Sequence, residues 1–382
     1  MKLLSNRAGV IIKQQSNYSC FVPNPLPPDN LVLSPKTIKL LSNAERNLGK
    51  LDGISARLPG KDTFIAMYIQ KESVLSSQIE GTQATLTDVL QENQEKKQDI
   101  GEIVSYTKAL NYGIKRLETL PMSLRLIKEI HAILLDNARG QDKDPGEFRH
   151  SQNWIGPFGC NLENAVFVPP NVDAMKKCLY DLEKYMHSDD DLPSLVKVAL
   201  IHYQFETIHP FLDGNGRIGR LIITLWLYSN EILSNPLLYL SYFFKTNRLK
   251  YYDLLMKVSI EGDFETWIDF FLDGINKMSE ISIQSINQIQ ELKEQDTRKV
   301  VESQMANHSR ALSVLDYLYK YPFVTSNDLI DHLKLTKPTV GKILNEFVDL
   351  GILRFDSTKK RYRQYRYQNY IDILHQGTDL DF

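Results

Sequence analysis

Two strongly apolar stretches, Leu195 to Ile208 and Ile218 to Tyr228, meet at one dense polar run. That run reads His209-Pro210-Phe211-Leu212-Asp213-Gly214-Asn215-Gly216-Arg217-Ile218-Gly219-Arg220. The flanking apolar residues recur with helical rather than alternating spacing, so both flanks are predicted to be helices packed in a core. Two buried helices joined by such a run must present it at a single corner. Formally, Gly214-x-Gly216-x-x-Gly219 is a dinucleotide fingerprint, but that pattern needs a preceding strand and a βαβ unit. The helical period of Leu195 to Ile208 excludes it.

The same spacing test predicts helices through most of the chain. Ser34 to Ile100 reads as helical, with Thr63 to Gln78 ending at Glu80-Gly81 and another helix over Thr85 to Gln94. Ser105 to Leu117, Leu124 to Leu135, Val172 to Met186, Pro193 to Ile208 and Lys250 to Ile275 follow. Pro23, Pro25, Pro27, Pro28 and Pro35 make residues 18 to 35 extended and irregular in expectation. Gly146, Gly156, Pro157, Gly159, Pro169 and Pro170 punctuate short β-like pieces, notably Ala165 to Val168, read as a loop or hairpin inserted between helices. Met278 to Gln304 is polar, with Ile283, Ile286, Ile289 and Leu292 at every third position, as in a connector helix. The expected fold is mainly α, with one β-hairpin and a small α+β tail. Four regions are predicted: 1–100, a core over 101–277, a connector over 278–304, and a separate domain over 305–382.

The chain has 382 residues, roughly two or three domains at about 150 residues each. Forty-seven acidic and forty-five basic side chains leave a formal charge of −2, which argues against coating nucleic acid by bulk charge. Cys20, Cys160 and Cys178 form no CxxC pair and no secreted framework, so a reducing, cytoplasmic setting is expected. No apolar run approaches the roughly 20 residues of a membrane span, and polar residues break the apolar start too early for a signal peptide. No membrane partner is expected.

The residue types of the polar run suit anion chemistry. Gly214 and Gly216 let backbone approach an anion, and a helix starting near Arg217 aims free N–H groups at it. Arg217 and Arg220, three apart, share a helix face and can fork onto phosphate oxygens. Asp213 is a hard oxygen ligand suited to Mg²⁺, and His209 is a base able to take a proton near neutral pH. Together they fit phosphoryl or nucleotidyl transfer. The alternative is a helix corner whose glycines turn the chain and whose charges are solvated.

The run matches HxFx(D/E)GNGRxxR at every specified position, and on it the chain resembles the Fic (filamentation induced by cAMP) family. Most members transfer AMP from ATP to a protein hydroxyl. The resemblance implies His209 as general base and Asp213 as Mg²⁺ ligand. It implies a nucleotide-binding run Gly214, Asn215, Gly216, Arg217, Ile218, Gly219 and Arg220, with the glycines and Asn215 at the α- and β-phosphates and Arg220 at the γ-phosphate. Phe211 would be a buried anchor. Gly146 to Pro170 resembles the family's flap, which holds a target segment by strand pairing. Tyr251 and Tyr252 resemble the tyrosines near the adenine pocket; core packing explains them equally. Other members of the superfamily use other phosphate-containing donors.

Ser76-Ser77-Gln78-Ile79-Glu80-Gly81 matches the family's (S/T)xxxE(G/N) inhibitory motif, here ahead of the catalytic run. Ser76 and Glu80 stand one helical turn apart on one face. The resemblance implies that Glu80 pairs with Arg220 and excludes the γ-phosphate. In some members the same glutamate aligns a water that removes AMP, which leaves net deAMPylation open.

His308 to Leu353 reads as three helices, the last over Lys337 to Leu350 with Lys337, Thr339 and Lys342 outward. Arg354 to Tyr367 alternates like a hairpin carrying Lys359, Lys360, Arg361, Arg363 and Arg366. This tail resembles a winged helix-turn-helix, a fold used on DNA and also for protein docking. From Asn307 onward eleven basic and nine acidic residues give a net charge of only +2. The expectation is therefore a protein adenylyltransferase using ATP and Mg²⁺ on a target protein or itself, braked by Glu80. The alternative is a DNA-binding regulator whose Fic site senses nucleotide or modifies the chain itself. A homodimer would space two such tails on DNA.

Overall fold

The computed structural model describes residues 2–15, 18–55, 61–91, 93–136, 142–157, 159–355 and 363–375. A hairpin of β1 (Gly9–Lys13) and β2 (Ser19–Pro23) precedes a helical body: α1 (Pro35–Ser55), α2 (Lys61–Ile79), α3 (Leu86–Leu90), α4 (Lys97–Leu117), α5 (Leu124–Leu134), α6 (Val172–Met186), α7 (Ser194–Ile208), α8 (Asn215–Ser229), α9 (Ser241–Thr246), α10 (Arg248–Glu261) and α11 (Phe264–Glu302). α7 is buried nearly all round, since its sequence is apolar on every face. It packs against α8, α6 and α11, while α4 and α5 pair beside α8. α2 lies between α4, α9 and α8, and so reaches the α7–α8 corner from the N-terminal side.

α11 runs for 39 residues without interruption. Its first half puts Trp267, Phe270 and Phe271 into the core, and its second half buries Ile286, Ile289 and Leu292. The expected connector is thus the second half of a core helix, and no break separates residues 277 and 278. After it come α12 (His308–Lys320), β3 (Phe323–Thr325), α13 (Ser326–Leu333), α14 (Lys337–Asp349), β4 (Arg354–Phe355), β5 (Gln364–Arg366) and α15 (Gln368–His375). The three strands form an antiparallel sheet in the order β3-β5-β4. Thr325 caps α13 with a capping box completed by Asp328. Lys359, Lys360 and Arg361 lie outside the described residues.

The mainly α class holds, and several local expectations do not. β1 and β2 pair in register from Gly9–Pro23 to Lys13–Ser19, although prolines pointed to irregular chain from residue 18. Those prolines fall at the end of β2 and after it, and Cys20 and Phe21 are buried in a strand that packs against α6 and α7. The flap is not a ladder: among the described residues it holds one bridge, Ile155 to Phe167. Pro157, Pro169 and Pro170 remove donors that a longer ladder needs. α8 begins at Asn215 rather than near Arg217, and α3 is a single short turn-and-a-half capped by Thr85. No described helix is long and apolar enough to cross a membrane.

Candidate active site

α7 stops where His209 enters the left-handed region, at φ 49° and ψ 61°, and Pro210 cannot extend the helix. Asn215 then ties the loop to itself. Its Oδ1 accepts from Phe211 N and its Nδ2 donates to Phe211 O, both at 2.8 Å. Gly214 also sits at a left-handed φ of 78°, a conformation that favours glycine. The first bond of α8 runs from Ile218 N to Gly214 O at 3.0 Å. The N–H groups of Asn215, Gly216 and Arg217 precede it, at the positive end of the helix.

The loop is held from outside by residues that stand far off in sequence. Phe211 is fully buried, with the His131 ring stacked on it at 3.7 Å and 9°. Gly146 N donates to His131 Nδ1 at 2.8 Å, so the ring hydrogen must be on Nε2, which donates to Asp213 O at 3.1 Å. Burial lowers the His131 pKa to about 4, which keeps this neutral tautomer. Arg149 is fully buried and donates Nε to His209 O at 3.0 Å, and its backbone N donates to Pro210 O at 2.9 Å. Asn153 Nδ2 bonds His209 O at 3.1 Å and Phe211 O at 3.0 Å. The base of the flap and the loop are therefore one hydrogen-bonded unit.

A cavity of about 540 Å³ opens at this corner, and His209, Glu206, Gly216, Arg220, Glu80 and Tyr252 are among the residues that line it. His209 Nδ1 lies 3.2 Å from the Glu206 carbonyl. A carbonyl only accepts, so Nδ1 carries the hydrogen and Nε2 is left as the basic nitrogen. Burial lowers the His209 pKa to about 4. Glu206, not anticipated from the sequence, is driven the other way: burial raises it to about 8 against the pull of Arg220. Its Oε1 is buried without a hydrogen-bond partner among the described residues. A Cβ at Gly219 would meet that oxygen at 2.1 Å, so glycine there makes room for the carboxyl.

Glu80 and Ser76 reach Arg220 from α2 and the turn after it. Arg220 Nη2 donates to Glu80 Oε1 at 2.6 Å and to Ser76 O at 3.0 Å, and Nε donates to Ser76 Oγ at 2.8 Å. Burial works against ionised Glu80, yet Arg220 and Arg217 hold its pKa below the ordinary carboxylate value. A Cβ on Gly216 would lie 2.3 Å from Glu80 Oε1, so the carboxylate rests on bare backbone in the first turn of α8.

Arg217 is nearly buried. Its Nη2 is 3.5 Å from Asp213 Oδ1, while Nε and Nη1 have no hydrogen-bond partner among the described residues. Asp213 is 43% exposed at the side chain and its Oδ1 accepts from Gly214 N at 2.6 Å. Ile218 is fully buried in the core. The Gly219 carbonyl accepts from His202 Nδ1 at 3.0 Å, which leaves His202 Nε2 to accept from Tyr251 O–H at 2.8 Å. Tyr251 is thus a buried wall of the cavity with its hydroxyl engaged below, and Tyr252 is 40% exposed on the same wall. His131, His202 and Glu206 lie outside the sequence expectations; the signal that marks them is placement, His131 on the buried stripe of Ile127, Ile130 and Leu134 in α5, and His202 and Glu206 on the mostly buried α7.

Residues 38–115 match the family described as Fic/DOC family N-terminal, and residues 121–227 match the Fic/DOC family. A protein adenylyltransferase Fic of Drosophila willistoni is 25% identical over 297 residues, covering 71% of this chain and 55% of that protein. Its counterpart in Drosophila virilis is 30% identical over 186 residues, covering 46% of this chain and 33% of that protein. The chain thus spans about half, or less, of the length of the curated relatives it matches. A crystal structure of a Fic family protein from Desulfovibrio desulfuricans G20 superposes with a TM-score of 0.57 at 20% identity, over 88% of this chain and 97% of that one. That likeness shows a shared fold. The two matches stand in sequence order, so residues 38–227 carry a Fic/DOC N-terminal domain followed by a Fic/DOC domain.

Proposed function

We propose that this chain is a protein adenylyltransferase that moves AMP from ATP to a hydroxyl of a target protein or of itself. The observation that carries this reading is Arg217: its buried Nε and Nη1, without a hydrogen-bond partner among the described residues, stand beside the N-terminus of α8, where a polyphosphate would satisfy them. Gly216 and the first-turn N–H groups would take the α- and β-phosphates, and Arg220 the γ-phosphate. The hydroxyl oxygen attacks the α-phosphorus, the bond from that phosphorus to the bridging oxygen breaks, and pyrophosphate leaves. The hydroxyl proton goes to Nε2 of His209, which the Glu206 carbonyl holds in the required tautomer. Developing charge on pyrophosphate is met by donors that are already oriented.

Mg²⁺ fits the donor set, since Asp213 offers one half-exposed hard carboxylate next to the phosphate site, as this ion usually takes beside polyphosphates. Bound there, it would neutralise charge on the bridging phosphates. Asp213 would hold it, and His131 would fix the Asp213 backbone. Glu80 acts as the brake: it occupies Arg220 and would repel the γ-phosphate. Intact-mass measurement of the Glu80→Gly chain and candidate targets after incubation with Mg²⁺ and ATP tests the reading. A gain of one adenylate that vanishes in His209→Ala supports it; no gain with ATP bound sinks it.

A second reading concerns the C-terminal region. The order of α12, β3, α13, α14, β4 and β5 supports a winged helix. α14 buries Val340, Ile343, Leu344 and Phe347, while Lys337, Lys342, Arg354, Arg363 and Arg366 are exposed. We read this face as a DNA-binding surface. It predicts retardation of duplex DNA that weakens steeply with salt, and no retardation at low salt removes it.

A further inference from the structure

The segment that carries Ser76 and Glu80 is gripped on both flanks by the C-terminal region. Near the start of α2, Phe64 is 2% exposed and stacks on Tyr319 of α12, with ring centroids 6.2 Å apart. One turn on, buried Tyr68 bonds the Ser282 carbonyl of α11 at 3.4 Å. Beyond Glu80, Thr87 of α3 is hydrogen-bonded to His375 of α15. Glu80 sits between these two holds and reaches across to Arg220.

The gripping elements are themselves fastened together. Tyr319 and Tyr367 share a hydroxyl contact at 2.9 Å, and Tyr367 O–H donates to buried Asp296 of α11 at 2.7 Å. Lys293 of α11 pairs with Asp316 of α12 at 2.8 Å. A helix is stiff over these lengths, and Phe64 to Glu80 spans about 24 Å. Movement at the Phe64 end therefore shifts the Glu80 end, where a charged hydrogen bond is lost within about an ångström of displacement.

We propose that the C-terminal domain is a clamp on the α2–α3 segment: its grip through Tyr319 and His375 keeps the Glu80–Arg220 bridge closed, and loosening it opens the nucleotide site. This rests on the braked adenylyltransferase reading above. Gly81, at φ 101°, supplies the bend between the two arms, and Glu80 lies directly before it.

The test uses the full-length chain with Phe64→Ala, Phe64→Leu and His375→Ala, each alone and combined with Glu80→Gly. Binding of a non-hydrolysable ATP analogue with Mg²⁺ is measured alongside adenylate transfer. The clamp predicts affinity higher by about threefold or more in Phe64→Ala and in His375→Ala, the scale at which distant mutations modulate coupling. It predicts no further rise in the Glu80→Gly background. Phe64→Leu keeps the apolar contact and should lie between wild type and Phe64→Ala, which separates loosening from misfolding. Single variants that bind like wild type while Glu80→Gly binds more tightly would overturn the clamp. Equal gains in both backgrounds would also overturn it, since the effect would then bypass Glu80. If Glu80→Gly itself changes nothing, the brake is gone and the clamp with it.

Discussion

The Glu80 carboxylate accepts from Arg220 Nη2 at 2.6 Å, joining two residues 140 positions apart in the chain. Ser76 completes the hold, taking Nε through its hydroxyl and Nη2 through its carbonyl. Burial alone would weaken ionisation of Arg220, and Glu80 more than offsets this, so the guanidinium stays charged. Arg220 is almost wholly out of water while the Glu80 side chain keeps 38% of its exposure, and a charge-assisted hydrogen bond on such a buried guanidinium is stronger than a neutral one. The same residues that would hold a phosphate are held by a carboxylate of the chain.

Arg217 should reveal its role by what its loss does to the empty protein. A buried guanidinium whose Nε and Nη1 have no hydrogen-bond partner among the described residues is a stability liability until an anion arrives. Arg217→Leu is expected to leave the melting temperature unchanged or slightly raised. The rise in melting temperature on adding ATP with Mg²⁺ to a Glu80→Gly background should disappear. Thermal scans with and without nucleotide check both halves.

Acid should spare the base. Burial lowers His209 to about 4, and Glu80 works to raise it, so removing Glu80 lowers it further. His209 is then deprotonated through the weakly acidic range. In Glu80→Gly, the acid limb of the transfer rate is expected below about pH 5 rather than near the ordinary histidine value of about 6.5. A pH–rate profile reads this directly.

Glu206 makes the opposite contribution to stability. Its folded pKa, raised from 4.5 to about 8, means the folded chain holds a proton that the unfolded chain releases between those values. The stability it contributes is complete below the unfolded pKa and is lost as pH rises through the folded one. Glu206→Gln should therefore melt higher than wild type near pH 9 and alike near pH 4.5. Denaturant titrations at the two pH values check the sign.

What could be read in advance was what lies close together along the chain. The run from His209 to Arg220 holds its glycines, arginines, carboxylate and base within one turn and the helix start after it, and Ser76 and Glu80 show their shared face by spacing alone. The supports are different in kind. His131 reaches Asp213 across 82 residues, and His202 ties α7 to Gly219 and Tyr251. Neither has a local partner, so only the packing of α5 and α7 against α8 gives them a role. Prolines misled at β2, because Pro23 closes that strand rather than preventing it. The periodic isoleucines of residues 283–289 marked a helix correctly, but spacing could not say that it continues from the core without a break.

Whether Glu80 brakes the site is tested most directly by transfer of label from ATP carrying it on the α-phosphate. Wild type, Glu80→Gly, His209→Ala and the double variant are compared with Mg²⁺ present. Loss of a charged hydrogen bond of about 1.5–3 kcal/mol corresponds to a gain on the order of tenfold or more. A brake at Glu80 predicts that gain in Glu80→Gly, and no label in either chain lacking His209. Equal label in wild type and Glu80→Gly, or label that persists without His209, would contradict it.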